Sequence, residues 1–203
     1  MLLSNAQQDA ISELINIGFG RAAGALSILV AQRVIIQAPQ VEMYPIEHLE
    51  NALAELVGQD ITTVHQVFSG KVCGDAMLLM DAESATILVD LLSGGKGIPH
   101  PLAESDQEAL GETGNILLNA FIGSFGNLLK VHISFTVPKL RVESLHNMLR
   151  TLLIDNEDVE YALIVRVHFV LSDGDVSGYV IIVMGIASMD ALFEAMRSSG
   201  YMN

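Results

Sequence analysis

Tryptophan is absent from the 203-residue sequence, cysteine occurs once, at Cys73, and basic residues number 10 against 24 acidic ones. A lone cysteine closes no internal disulfide, so the fold must rest on its core, and the reducing cytoplasm is the expected compartment. The formal net charge of −14 provides no electrostatic footprint for nucleic-acid phosphates or an anionic membrane surface, so neither is an expected partner. Long hydrophobic runs are also missing. A bilayer span needs about 20 consecutive apolar residues, and the longest strongly apolar stretch is 179–187, YVIIVMGIA. Its length and β-branching fit a buried strand. The first ten residues, MLLSNAQQDA, have no basic segment ahead of an apolar one and do not read as a secretory signal.

What is present is a chain with 51% apolar and 17% charged residues, against usual values of roughly 45–50% and about 25%. That balance excludes intrinsic disorder, and the length suffices for one large domain or two small ones. An internal repeat is found by sliding the chain along itself. At an offset of 99 residues Ala10, Glu13, Asn16, Gly24, Leu29, Pro39 and Leu53 fall on Ala109, Glu112, Asn115, Gly123, Leu128, Pro138 and Leu152. Further on the offset becomes 104, with Gly74, Met80 and Leu88 falling on Gly178, Met184 and Leu192. Five residues are therefore inserted in the second copy, and the acidic stretch Asp155-Asn-Glu-Asp158 is the expected place. The expectation is a single domain, 1–203, built of two repeats, 1–94 and 100–203, joined through the glycine-rich segment 92–99.

Each copy reads as the same series of elements. Ser4-Asn-Ala-Gln7 has the form of a capping box, and Ile11, Leu14, Ile15, Ala22, Ala25, Leu26 and Leu29 supply an apolar stripe at near-helical spacing. A strand is expected at 34–38, leading into Pro39, then a short helix at 46–56, strands at 61–68 and 72–79, and a helix at 82–92. In the second copy Ser105-Asp-Gln-Glu108 is the expected capping box of a long helix to 129. Strands follow at 133–137 and 140–142, a helix at 145–154, strands at 161–171 and 176–184, and a last helix at 188–197. The fold class implied is α/β of the α+β kind, a pseudo-two-fold duplicated unit whose mainly antiparallel sheet is covered by helices.

In the long helices, packing accounts for most positions, and the exceptions are informative. Glu13 and Asn16 are three residues apart, side by side on one helical face, and Glu112 and Asn115 are placed likewise. Either pair read alone is an ordinary solvated face. Retention of Glu, Asn and the distant proline in both copies is what a shared task, or a shared structural constraint, would leave. Gly18, Gly20, Ala22, Ala23, Gly24 and Ala25 lie beside the first pair, and Gly111, Gly114, Ala120 and Gly123 around the second. Each interior helical glycine costs roughly 0.8–1 kcal/mol relative to alanine, so the density needs a reason. Helix-on-helix packing is one, and room for a partner's loops to reach the Glu and Asn is the other.

The spacing Asp9-x3-Glu13-x2-Asn16-x22-Pro39, repeated as Glu108-x3-Glu112-x2-Asn115-x22-Pro138, resembles the signature of the CheC/CheX/FliY phosphatases of bacterial and archaeal chemotaxis. Glu13-Leu-Ile-Asn-Ile-Gly18 and Leu110-Gly-Glu-Thr-Gly-Asn-Ile116 are similar to that family's helix motifs, and the similarity covers essentially the whole chain, with two motif copies as in CheC. Glu108 stands where the pattern has Asp or Ser. The resemblance implies a fold with the two motif helices on one side of a shared sheet. It implies hydrolysis of the aspartyl phosphate on the response regulator CheY, with Asn16 and Asn115 holding the attacking water and Glu13 and Glu112 engaging a lysine of the regulator. No cofactor of the chain's own is implied, because Mg²⁺ is expected on CheY. The resemblance also implies binding to the receptor deamidase CheD, and a binding module that regulates CheD with little or no catalysis is the alternative reading. Two motifs in one chain remove the need to dimerise to obtain two sites, so a monomer is expected.

Other motifs carry less. Gly18-Phe-Gly20-Arg-Ala-Ala23 matches the dinucleotide fingerprint formally but lies inside a helical pattern instead of following a strand. Gly94-Gly-Lys96-Gly lacks the spacing of a P-loop and reads as a connector. His48, His65, His100, His132, His146 and His168 show no metal-binding spacing and are expected at the surface or satisfied in the core. Cys73 is expected to be a small buried strand residue.

Overall fold

The computed structural model describes residues 4–58, 60–155 and 159–201. Helix α1 (Asn5–Leu29) opens with the expected capping box. The Gln7 N–H donates to Ser4 Oγ at 3.3 Å, and the Ser4 N–H donates to Gln7 Oε1 at 2.8 Å. Two of the four N–H groups orphaned at a helix start are thereby satisfied. Ile11, Leu14, Ile15, Ala22 and Leu26 of the expected stripe are buried, whereas Leu29, the last helical residue, is exposed.

After α1 come β1 (Ile35–Pro45), a 3-10 turn (Ile46–His48), α2 (Leu49–Val57), the hairpin β2 (Asp60–Gly70) and β3 (Gly74–Asp81), and α3 (Ala82–Leu92). The second half follows with α4 (Glu104–Leu129), β4 (Ile133–Phe135), β5 (Lys139–Ser144), α5 (Leu145–Asp155), the hairpin β6 (Val159–Leu171) and β7 (Gly174–Gly185), and α6 (Ile186–Ser198). The strands form one antiparallel sheet in the order β1-β6-β7-β3-β2-β4, with β5 also paired to β2. At its centre Asp75 faces Val183, Met77 faces Ile181 and Leu79 faces Tyr179. Each of the residues 75, 77 and 79 has its 104-offset counterpart on the opposite strand, so the pairing reads the same from either side. Outward from this centre the halves exchange strands. The first strand of the first half, β1, adds to the β6-β7 hairpin, and β4 and β5 of the second half add to the β2-β3 hairpin.

Helices cover both faces. Helices α1, α3, α4 and α6 bury their apolar sides in one core with Leu78, Met80, Val180, Ile182 and Met184 of the central strands. Helices α2 and α5 form a smaller core with Met77, Leu79, Ile181 and Val183 from the same strands. The central strands are therefore apolar at successive positions, as strands buried on both faces must be. Residues 179–184 of the apolar run owe their hydrophobicity to this, whereas its last two residues, Ile186 and Ala187, are exposed at the start of α6, and among the described residues no helix is long and apolar enough to cross a membrane.

Four expectations are corrected. Strand β1 does not stop at Pro39 but continues to Pro45, with a register shift between Gln37 and Gln40. Because β1 is an edge strand, a proline that cannot donate to a ladder is tolerated at such an irregularity. The five extra residues of the second half lie in its hairpin: residues 69–73 separate the paired Phe68 and Gly74, whereas residues 168–177 separate Val167 from Gly178. The 99-residue offset thus persists through β6, past the acidic stretch, of which 156–158 lie outside the described residues. The start of α4 is set by Ala103 and Asp106, whose Oδ2 accepts from the Ala103 N–H at 2.8 Å, not by Ser105 and Glu108. Cys73 is exposed in the β2–β3 turn, its Sγ 3.0 Å from Ser188 Oγ.

Candidate functional site

Glu13 and Asn16 lie together on the side of α1 that faces away from the buried stripe, and both are exposed. Among the described residues neither has a hydrogen-bond or ion-pair partner. One and two turns further on stand Gly20 and Gly24, where an added Cβ would meet nothing within 4 Å. The carboxylate and the amide therefore project beside two helical positions without side chains. On α4 Glu112 is exposed and unpartnered among the described residues, while Asn115 is half-buried. Gly111 and Gly123 open the α4 surface as Gly20 and Gly24 open that of α1. Asp9 and Glu108, one turn ahead of each pair, are also exposed.

The two explanations of the glycines are divided between different glycines. A Cβ on Gly18 would come within 2.7 Å of the Phe121 ring, and one on Gly114 within 2.6 to 2.8 Å of three atoms of Val64. Those two are packing glycines, and Gly18 lets Phe19 and Phe121 stack with ring centroids 4.5 Å apart between α1 and α4. Gly20, Gly24, Gly111 and Gly123 have no such neighbours. They flank the Glu and Asn positions and leave them approachable.

The protein thus brings Glu13 to Asn16 and Glu112 to Asn115 as two pairs, each within one helix. The prolines of the motif are not part of either pair. Pro39 falls at the register shift of β1, and Pro138 in the break between β4 and β5. One residue that sequence reading missed is Asn119. Its Nδ2 donates to Asn115 Oδ1 at 2.7 Å, and its own Oδ1 is buried without a partner among the described residues. The only signal was its spacing of four from Asn115, which places two amides on adjacent turns.

Among the described residues no group of three or more His, Cys, Asp and Glu side chains is placed to hold a metal. Several histidines pair instead with single carboxylates: His65 with Asp75 at 2.6 Å, His100 with Asp106 at 3.1 Å and His168 with Asp175 at 3.0 Å. The glycine fingerprint at 18–23 lies wholly within α1, away from any strand end. The segment 93–97 turns the chain between α3 and α4, with Gly94 and Gly97 at φ of 81° and 70°.

No family model matches the chain. Over 175 residues it is 27% identical to the flagellar motor switch phosphatase FliY of Bacillus subtilis, which covers 85% of this chain and 44% of that protein. The chain thus spans less than half the length of this relative. The crystal structure of Thermotoga maritima FliY superposes with a TM-score of 0.77 at 19% identity, covering 98% of this chain and all of that one. FliM in the FliG-FliM complex from H. pylori superposes with a TM-score of 0.66 at 16% identity, covering 95% and 100%.

Proposed function

Starting from homology to FliY, and from the CheC/CheX/FliY-type fold that the two share, we propose that this chain is a chemotaxis phosphatase that hydrolyses the aspartyl phosphate of CheY. The observation that carries the reading is the pair of Glu-x2-Asn sites, with Glu13, Asn16 and Glu112 exposed and Asn115 half-buried, each beside glycines at which an added Cβ would meet nothing. Phosphoryl transfer asks little covalent chemistry of a protein and much positioning and electrostatics. In this reading Asn16 and Asn115 hold a water in line with phosphorus through their amides, and Glu13 and Glu112 bind the regulator's lysine. The regulator supplies Mg²⁺ and that lysine to the phosphate, so this chain needs no cationic cradle and its net charge of −14 is no obstacle. A helix is a suitable platform, because side chains on a rigid element are placed more accurately than those on a loop.

The test is the decay of phosphorylated CheY with and without the protein. Parent protein accelerates it, and Asn16→Ala and Asn115→Ala each cost their site on the order of 10²-fold through lost positioning. A double variant that works at the parental rate would overturn the reading. A second reading has support from the fold, since the similar FliM was crystallised with FliG: the chain is a binding module, with CheD as the proposed partner. Changing Glu13, Asn16, Glu112 and Asn115 together separates the two, for it abolishes phosphate release in the first case and leaves CheD binding intact in both.

A further inference from the structure

We infer that Asn119 is a positioning residue for the second Glu–Asn pair and that it makes the two sites unequal. The inference rests on the phosphatase reading and deepens it. Asn119 lies one helical turn beyond Asn115, and its Nδ2 donates to Asn115 Oδ1 at 2.7 Å. Both side chains are half-buried, so water competes less for this bond than for one at the open surface. The other polar atom of Asn119, Oδ1, is buried with no partner among the described residues. A buried acceptor left unpaired is destabilising, and an apolar residue of the same size would avoid it. Among the described residues the one side-chain hydrogen bond that Asn119 makes goes instead to Asn115.

Position 20 is the equivalent in α1, and it is glycine. Asn16 is exposed and has no partner among the described residues. With nothing among the described residues to fix its rotamer, it must be immobilised when substrate docks, whereas Asn115 is already held. The tether takes one lone pair of Asn115 Oδ1 and leaves its second lone pair and both Nδ2 hydrogens for a water. Immobilising one side chain at an interface is equivalent to a factor of about two to ten in an equilibrium or rate constant. The second site therefore works with a kcat/KM larger than the first by about that factor.

Single-site backgrounds test this. In Asn16→Ala only the second site remains, and adding Asn119→Leu, which removes the donor and the unpaired acceptor while keeping the number of side-chain heavy atoms, lowers kcat/KM for phosphorylated CheY about two- to tenfold. In Asn115→Ala the tether has lost its target, so a comparable loss there would mark a general effect on the fold and overturn the inference. Adding Gly20→Asn to Asn115→Ala installs the missing tether, for which there is room, and raises kcat/KM of the first site. A second readout does not need turnover: the NMR order parameter of the Asn115 side-chain amide exceeds that of Asn16 and falls to it in Asn119→Leu. Equal order parameters in the parent protein overturn the inference. A parent protein that leaves phosphorylated CheY unaffected defeats the phosphatase reading, and the amide order still decides whether the tether exists.

Discussion

Helices α1 and α4 begin 99 residues apart, present the same Glu-x2-Asn pair, and sit differently in the protein. Helix α1 lies against α4 and β1, whereas α4 also packs on β2, β3, β4, β5, α3 and α6. Each therefore spends its packing glycine on a different neighbour, Gly18 on the Phe121 ring and Gly114 on Val64. The start of α1 has both arms of a capping box, and that of α4 has one, because Ala103 has no acceptor to offer. The pair on α1 is free and that on α4 is tied by Asn119. What both helices keep is the Glu, the Asn and one open glycine, Gly24 on α1 and Gly123 on α4. What each has changed is the part that meets the rest of the protein.

The comparison can be broken at its glycines, where the largest effect is expected. Gly114→Ala sets a methyl group against Val64, whose β-branched side chain has little freedom to turn away, and costs about 1–3 kcal/mol. Gly111→Ala, less than one turn earlier on the same helix, meets nothing and gains up to about 1 kcal/mol. Urea unfolding of the two variants measures both, and equal shifts would erase the division between packing and open glycines. A smaller contrast lies at the helix starts. Ser4→Ala costs about 1 kcal/mol, and Ala103→Ser gains no more than that, since it supplies an acceptor that α4 lacks. Thermal melts of the two single variants read the difference. The smallest effect distinguishes the helices by pH. His100, just ahead of α4, hydrogen-bonds the Ile98 carbonyl and the Asp106 carboxylate, which in that order raise its pKa above the ordinary 6.5. A raised histidine pKa stabilises fully below 6.5, and the contribution disappears as pH rises through the folded value. His100→Gln should therefore destabilise the protein at about pH 5.5 and have less effect at about pH 8.5, and equal effects at both would remove the histidine from the account.

Much of this arrangement was legible in residues. The stripe Ile11, Leu14, Ile15, Ala22, Leu26 marked the buried side of α1, and Ser4 with Gln7 marked its start. The apolar run at 179–187 reads as strand because it is too short for a bilayer and rich in β-branched residues, and this holds to Gly185, after which Ile186 and Ala187 begin α6. The candidate pairs were legible through their double occurrence. The less legible features depend on partners distant in sequence. Pro39 reads as a strand terminator, and only its place on an edge allows β1 to continue past it. Composition points to the acidic stretch as the place of the inserted residues, whereas cross-strand pairing fixes them in the β6–β7 hairpin. Cys73 resembles a strand residue until the β2–β3 turn claims it. Asn119 has no mark in the sequence, because a bond between neighbouring amides has no sequence signature beyond spacing.

The strand exchange across the sheet has a consequence for how the protein could be taken apart. Cleaved in the connector 93–99, the chain yields one fragment with β1 and the β2-β3 hairpin and another with β4, β5 and the β6-β7 hairpin. Each fragment keeps a two-stranded ribbon, which is marginally stable at best in water, and a first strand whose docking place is on the other. Neither fragment is a smaller version of the whole. Mixed, they have complementary vacancies and can rebuild the sheet by mutual templating. A single half alone could fill its vacancy only with another copy of itself.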